Sequence, residues 1–501
     1  MSLLRAAKLN AISNYVNFAV SSLVTIAVSP LLLSYLGPAG FGTWKSLQRL
    51  MDFGTVADGR AMQALKWVIA KNARRDCPEQ NRQAVGSAIL VWLLFLPLTA
   101  IAATLIVFFA PDLIRDASVS DSRLQFVGAL LAFNLFLVPL LGIPDSVLVG
   151  VNKGFASMTI QTGTLILANL GMLLVSYLGF GLVGMAAVVL VSTAFNAVVI
   201  FFRARALVDW FGIAKPARGA TSRFFSFSGW VLFWSLISKL LLSTEILLLG
   251  ALVGASMVAD FTFTAYAPQF AIAICFMTGS AAMPGIGSLM AGEMSDSLVK
   301  AIDACRSVVL AMATILCCGI VLFNQAFVTL WAGPQRYLGD TSNLLLVVSA
   351  FQLILIRNEA QIQDLTLSIR SKVLLGALGA LLSLAIGYAA FVLLNGRYEA
   401  IFGGIILGRG VLSWLFPRMV RGIVLGQASR WKTVLLSVLT IAACSMSAAW
   451  IERLPMALSL RMLATVGVLS VAIWFVLAVL LEHDTRRMGW MMLSGAGRGR
   501  R

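Results

Sequence analysis

ISNYVNFAVSSLVTIAVSPLLLSY, residues 12–35, runs for 24 residues without a formal charge. As an α-helix it rises about 36 Å, enough to cross the roughly 30 Å hydrocarbon core of a bilayer. It lacks the period-2 alternation of a barrel strand, and lipid would leave an open strand's backbone unsatisfied. Working outward, comparable apolar stretches follow at 41–62, 85–109, 126–149, 159–178, 183–202, 229–252, 261–283, 307–327, 341–363, 373–394, 400–416, 433–451 and 462–481. The pattern predicts an all-α polytopic membrane protein with about fourteen transmembrane helices. Composition agrees, with 59% hydrophobic and 12% charged residues. So few charges could not clothe a water-soluble surface. The first stretch is too long for the apolar part of a cleaved signal and has no small-residue cleavage site, so it is expected to remain as the first helix.

The formal charge of +17 would suggest a nucleic-acid partner in a soluble protein. Its distribution argues otherwise. With the N-terminus placed in the cytoplasm, 26 of the 38 Lys and Arg fall in inner connections, 6 in outer ones and 6 within spans. That is the positive-inside asymmetry, and it predicts both termini in the cytoplasm and no nucleic acid. The basic tail, 483–501, is expected to touch anionic membrane lipid. The only histidine is His483, and the six cysteines are scattered, so neither a metal nor a cofactor is expected.

The most polar connection, about 203–228, divides the chain. The expected organisation is an N-terminal six-helix lobe (1–205), a cytoplasmic amphipathic linker (206–228), a C-terminal six-helix lobe (229–430), two further helices (431–482) and the tail. Leu31-Leu32-Leu33 with Leu36-Gly37-Pro38-Ala39 is echoed by Leu247-Leu248-Leu249 with Leu252-Val253-Gly254-Ala255. Both stretches close the first helix of their half, as in a parallel internal repeat. Outer connections 1–2, 5–6 and 7–8 read as tight glycine turns. The inner connections at 66–84 and 284–306 read as short amphipathic helices on the membrane surface.

A charge inside a membrane helix costs at least a few kcal/mol and marks a functional candidate. At about 1.5 Å per residue, Arg49, Lys239 and Arg409 fall near mid-membrane, whereas Lys45 is shallow enough to snorkel. The carboxylates within comparable reach are Asp52, three residues from Arg49, and Glu245; Arg357 and Glu359 occupy the inner half of their helix. These charges either pair to hold helices together or form a cationic cavity for an anion. Gly408 and Gly410 flank Arg409, which suits close helix packing equally well. Asn10, Asn14, Asn17, Ser21 and Thr25 recur on one face of the first helix, facing a wet cavity or another helix. Thr262, Tyr266 and Gln269 share similar spacing and carry groups that suit sugar recognition. Gln352 and Gln363 add amides to the helix of Glu359. No phosphate-cradling Gly-x-x-x-x-Gly-Lys-Ser/Thr loop is present, and no nucleophile constellation is apparent, so a transporter is expected rather than an enzyme.

Tyr35-Leu36-Gly37-Pro38-Ala39-Gly40-Phe41-Gly42-Thr43-Trp44 resembles the first outer turn of polysaccharide flippases of the Wzx type. Asp58-Gly59 falls where those proteins often carry an Asp-x-Gly-like signature, with altered spacing. Ser243-Thr244-Glu245-Ile246-Leu247-Leu248-Leu249-Gly250 is similar to their helix 7, with Glu245 where Asp is common. Pro284, Gly292-Glu293 and Arg306 resemble their following inner linker. The resemblance covers most of the chain, through the order of loose motifs over fourteen helices. It implies a member of the multidrug/oligosaccharidyl-lipid/polysaccharide exporter (MOP) superfamily, in the bacterial inner membrane. It further implies a polyprenyl-diphosphate-linked oligosaccharide as substrate, with a polysaccharide polymerase and chain-length machinery as partners. A cation-coupled multidrug exporter and a lipid II flippase remain alternatives. A membrane-embedded polymerase or glycosyltransferase would need a larger loop than the chain offers.

Overall fold

The computed structural model describes residues 3–58, 61–72, 77–114, 119–216, 220–290, 296–365, 369–423, 431–455 and 457–480. Among them there is no strand. The principal helices are α1 (Leu3–Gly54), α2 (Ala61–Asn72), α3 (Pro78–Leu113), α4 (Asp121–Leu141), α5 (Ile143–Gly150), α6 (Gly154–Tyr177), α7 (Gly181–Leu207) and α8 (Ala220–Leu252). They continue with α9 (Ala255–Thr264), α10 (Tyr266–Met290), α11 (Asp296–Ala332), α12 (Asp340–Asp364), α13 (Ile369–Leu393), α14 (Tyr398–Ile423), α15 (Trp431–Arg453) and α16 (Leu458–Phe475).

Among the described residues, thirteen segments are long and apolar enough to cross a membrane. The first, Ile12–Gly54, breaks at Gly37, where φ is +69°. Its arms, 12–36 and 38–54, are therefore two passes, which brings the number to fourteen. Gly179 (φ +82°) and Gly254 (φ +125°) likewise sit in the turns after α6 and α8. Left-handed φ favours glycine, so the three expected glycine turns rest on backbone geometry.

By their contacts the described helices form two compact units, Met1–Ala259 and Asp260–Arg501. The helix α8 packs on α1 and α3 and so falls with the first unit rather than at the start of the second. In that unit α2 is more than a surface helix. Leu65 and Ile69 are fully buried with Val147 and Leu148 of α5 and Ala204 of α7. A Cβ at Gly150 would lie 2.8 Å from that of Ile69. In the second unit α11 packs against α10, α12, α15 and α16. The tightest seam joins α13 to α14, where a Cβ at Gly404 would lie 2.6 Å from the Ile386 carbonyl oxygen and one at Gly408 2.5 Å from the Ser383 nitrogen.

Two sequence expectations need correction. The 284–306 connection is not a separate surface helix: α10 continues to Met290 and α11 already begins at Asp296, so its apolar face extends the flanking spans. Residues 208–216 are non-helical, and helix resumes at Ala220, so the described part of the linker contains no separate amphipathic helix. Gly59, Gly292, Glu293, His483 and the basic tail lie outside the described residues.

Candidate transport site

In the first unit, α8 runs alongside the second arm of α1. A Cβ at Gly42 would lie 1.7 Å from the Ala255 carbonyl oxygen, and one at Gly250 3.5 Å from the Ser46 hydroxyl. This antiparallel register places Glu245 about 4 Å below Arg49 along the bundle. Arg49 and Asp52 lie 3.7 Å apart, with side chains 33% and 48% exposed. The expected pair is therefore present, but loose and accessible. Lys45, one turn from Arg49, sits 5.4 Å from the Phe41 ring centroid. Glu245 is buried, while Lys239, about 9 Å further along α8, is half-buried.

The polar stripe on the first arm is divided. Asn10 donates to the Asn152 side chain at 2.7 Å and accepts from the Phe155 amide at 2.7 Å. Asn17 accepts from Thr162 at 2.9 Å. Thr25 donates to the Ser21 carbonyl at 2.8 Å. These bonds make Asn10 and Asn17 part of the α1–α6 packing, while the Asn14 side chain is exposed. Asp145 did not stand out in the sequence. It pairs with Lys66 at 3.3 Å and accepts from Gln161 at 3.1 Å. It also borders a crevice of about 470 Å³ between α4–α5, α6 and α7, with Thr164, Asn169, Ser192, Thr193 and Asn196. The signal was seven polar residues, Asp145, Gln161 and these five, on three otherwise apolar spans.

In the second unit the charges are more deeply engaged. Arg306 bonds Glu359 and lies 3.8 Å from Asp303, with all three buried. The Arg306–Glu359 pair borders a small cavity of about 120 Å³. Lys372, fully buried, pairs with Asp364. Arg409 is fully buried and donates to the Ser349 hydroxyl at 2.9 Å. Its place is in helix packing, beside the glycine seam. Gln352 donates to the Ile406 carbonyl at 2.9 Å, and Gln363 is fully buried.

Arg357 differs. It is half-buried, and its guanidinium carbon lies 4.1 Å from the Phe276 ring centroid. No described carboxylate pairs with it. Gln361, one turn on, donates to Ser280 at 2.6 Å and so locks α12 to α10 beneath this stack. Sequence reasoning located Arg357 by depth but had no means of finding its aromatic seat.

Tyr266 stacks on Phe327 and lies 4.9 Å from Trp331, centroid to centroid. Gln269 is half-buried one turn below. Beyond these rings, Arg336 bonds Asp260 at 2.7 Å, and the Thr264 hydroxyl donates to the Arg336 carbonyl at 3.1 Å. Burial raises the Asp260 carboxyl above the usual aspartate range, and Arg336 offsets part of that rise.

No protein-family profile matches the chain, and no curated protein matches it by sequence. Solved structures do match. An inward-facing multidrug resistance MATE family transporter of the MOP superfamily aligns with TM-score 0.61 and 15% identity, over 85% of this chain and 96% of its own. An outward-facing structure of a transporter with the same description gives TM-score 0.57 and 16% identity, over 89% and 97%. A MOP superfamily transporter from Pyrococcus furiosus, whose binding pocket of reverse polarity suggests a different function, gives TM-score 0.57 and 15% identity, also over 89% and 97%. The fourteen-pass chain therefore has the fold of the MATE transporters of the MOP superfamily, a membrane-transporter fold.

Proposed function

We propose that this protein flips a polyprenyl-diphosphate-linked oligosaccharide across the bacterial inner membrane for surface polysaccharide assembly. The observation that carries the reading is Arg357. Its guanidinium rests on an aromatic face about 10 Å from the end of α12, with no carboxylate partner among the described residues. Stacking orients the planar fork and leaves N–H groups for an anion such as a diphosphate. Arg49 and Lys239 supply cations in the first unit. The half-buried Tyr266 and Gln269 and the polar crevice around Asp145 suit sugar hydroxyls, and the prenyl tail stays in lipid. Access alternates between the two faces of the membrane, a reading supported by the outward- and inward-facing structures of the same fold. A polymerase and chain-length machinery would receive the product outside.

A cation-coupled multidrug exporter, or a lipid II flippase, is the second reading. The multidrug description of the structural neighbours favours the drug exporter. Against it, Glu359 and Asp303 are already engaged by Arg306 rather than offered to a cation. The reverse-polarity pocket described for the Pyrococcus protein is a precedent within the fold for departure from drug export.

The test is genetic and biochemical. At normal expression, Arg357→Ala and the Arg49→Ala/Lys239→Ala double variant should lose surface polymer and accumulate the lipid-linked precursor. Arg357→Lys should restore only part of the activity, because a lysine ammonium lacks the planar fork. Normal polymer with increased drug sensitivity would reject the flippase reading in favour of export. In proteoliposomes the potential should assist transport, since each outward negative charge gains about 2.3 kcal/mol per 100 mV. Transport indifferent to potential but dependent on a proton or sodium gradient would assign the drive to a carboxylate such as Asp52, Glu245 or Glu359.

A further inference from the structure

The first unit carries a second crevice, of about 680 Å³, between α3, the α4–α5 break and α7. Its volume lies within the roughly 300–1,000 Å³ range of ligand sites. Val85, Leu140, Phe201 and Phe202 form apolar walls, Ile213 closes one edge, and Arg205 is the only charged group lining it among the described residues. We propose that this crevice binds an acidic phospholipid, with an acyl chain along the apolar walls and the phosphate at Arg205 and Lys215. The Lys/Arg distribution assigns this end of the unit to the cytoplasmic leaflet.

Three observations distinguish the crevice from ordinary lipid-facing surface. First, a strap bounds one side of it. Residues 208–216 cross α3, where the Arg82 side chain donates to the Trp210 carbonyl at 2.9 Å and the Arg82 carbonyl accepts from the Ala214 amide at 3.2 Å. The approach needs a glycine: a Cβ at Gly86 would lie 2.0 Å from the Ala214 carbonyl oxygen. Second, the cations nearby have divided duties. Arg82 is committed to the strap, and Lys153 donates to the Leu207 carbonyl at 2.7 Å, where it satisfies the end of α7. Third, among the described residues neither Arg205 nor Lys215 has a hydrogen-bond or ion-pair partner, and both are exposed. Asp209 is the one acid on the strap. Apolar walls with unengaged cations at the mouth complement a lipid with an anionic headgroup, as basic pockets between membrane helices do.

The test uses the delipidated full-length protein and native mass spectrometry, titrating phosphatidylglycerol against phosphatidylethanolamine. Wild type should retain phosphatidylglycerol preferentially. Each cation near an anionic headgroup contributes about fivefold, so Arg205→Ala/Lys215→Ala should weaken phosphatidylglycerol about 25-fold and leave phosphatidylethanolamine unchanged. Val198→Trp, which fills the crevice from its open side, should weaken both lipids. Arg397→Ala, an exposed cation of the second unit, should change neither. Equal retention of the two lipids by wild type, or undiminished phosphatidylglycerol binding in either crevice variant, would overturn the proposal.

Discussion

The two units differ in how several of their charged pairs are held. In the first, Arg49–Asp52 and Lys66–Asp145 are partly accessible, and the second pair opens onto a crevice lined by amides and hydroxyls. In the second, Arg306–Glu359 is buried and Arg409 is fully enclosed. Accessible charges keep part of their hydration and their freedom to meet a polar visitor. Buried charges have exchanged water for fixed partners and act as fasteners. Arg357 departs from this in the second unit: it is half-buried on the Phe276 ring with no described carboxylate partner, and it is the substrate contact proposed above.

This contrast can be broken by stability measurements on detergent-purified protein. The largest effect is expected for Arg306→Ala, which leaves Glu359 buried without its cation. A loss of about 3–5 kcal/mol should follow, seen as a steep fall in thermal midpoint and yield. Arg49→Ala should cost under about 1 kcal/mol. Equal losses would erase the distinction between the units. Next comes Gly408→Ala, whose Cβ would meet backbone rather than a flexible side chain. Overpacking of this kind typically costs about 1–3 kcal/mol. A neutral result would mean that the α13–α14 seam yields.

A smaller effect separates the partners of the Asp260–Arg336 pair. Arg336→Ala strands a carboxylate that burial already disfavours, so it should lower the midpoint more than Asp260→Asn does. The pH dependence has a definite sign. A carboxyl whose folded pKa is raised holds its proton more tightly when folded than when unfolded. Its contribution is therefore most favourable below the ordinary aspartate range and declines as pH rises through the raised pKa. Between pH 4 and 7, wild type should lose slightly more midpoint than Asp260→Asn. The smallest effect is expected for Asn17→Ala. It removes one interhelical hydrogen bond at the α1–α6 contact, worth about 0.6 kcal/mol in a membrane protein. A transport defect without that small destabilisation would instead assign Asn17 to the substrate path.

The passes and their turns were legible because hydropathy over twenty residues and glycine at a left-handed φ are local properties. Height along a helix was legible too, which is how Arg49, Arg357 and Arg409 were located. The direction each side chain faces was not. Arg306 meets Glu359 across 53 positions of sequence, and Lys66 meets Asp145 across 79. Depth arithmetic along one helix cannot choose among the neighbours of another. The glycines beside Arg409 were the exception, since small residues in an apolar span already announce a close neighbour. The 284–306 segment was misread for a related reason: an amphipathic face can lie on a membrane surface or extend a spanning helix, and only the neighbouring helices decide.

The glycine seam between α13 and α14 also has a mechanical consequence. Where Gly404 and Gly408 bring one backbone against another, no layer of long side chains lies between the helices to shear. The pair should behave as one stiff strut, carrying displacement from end to end with little internal give. Compliance in the second unit must then come from other joints, such as the interruption between α9 and α10 at Ala265. A spectroscopic ruler across the strut would read a constant length while the protein works.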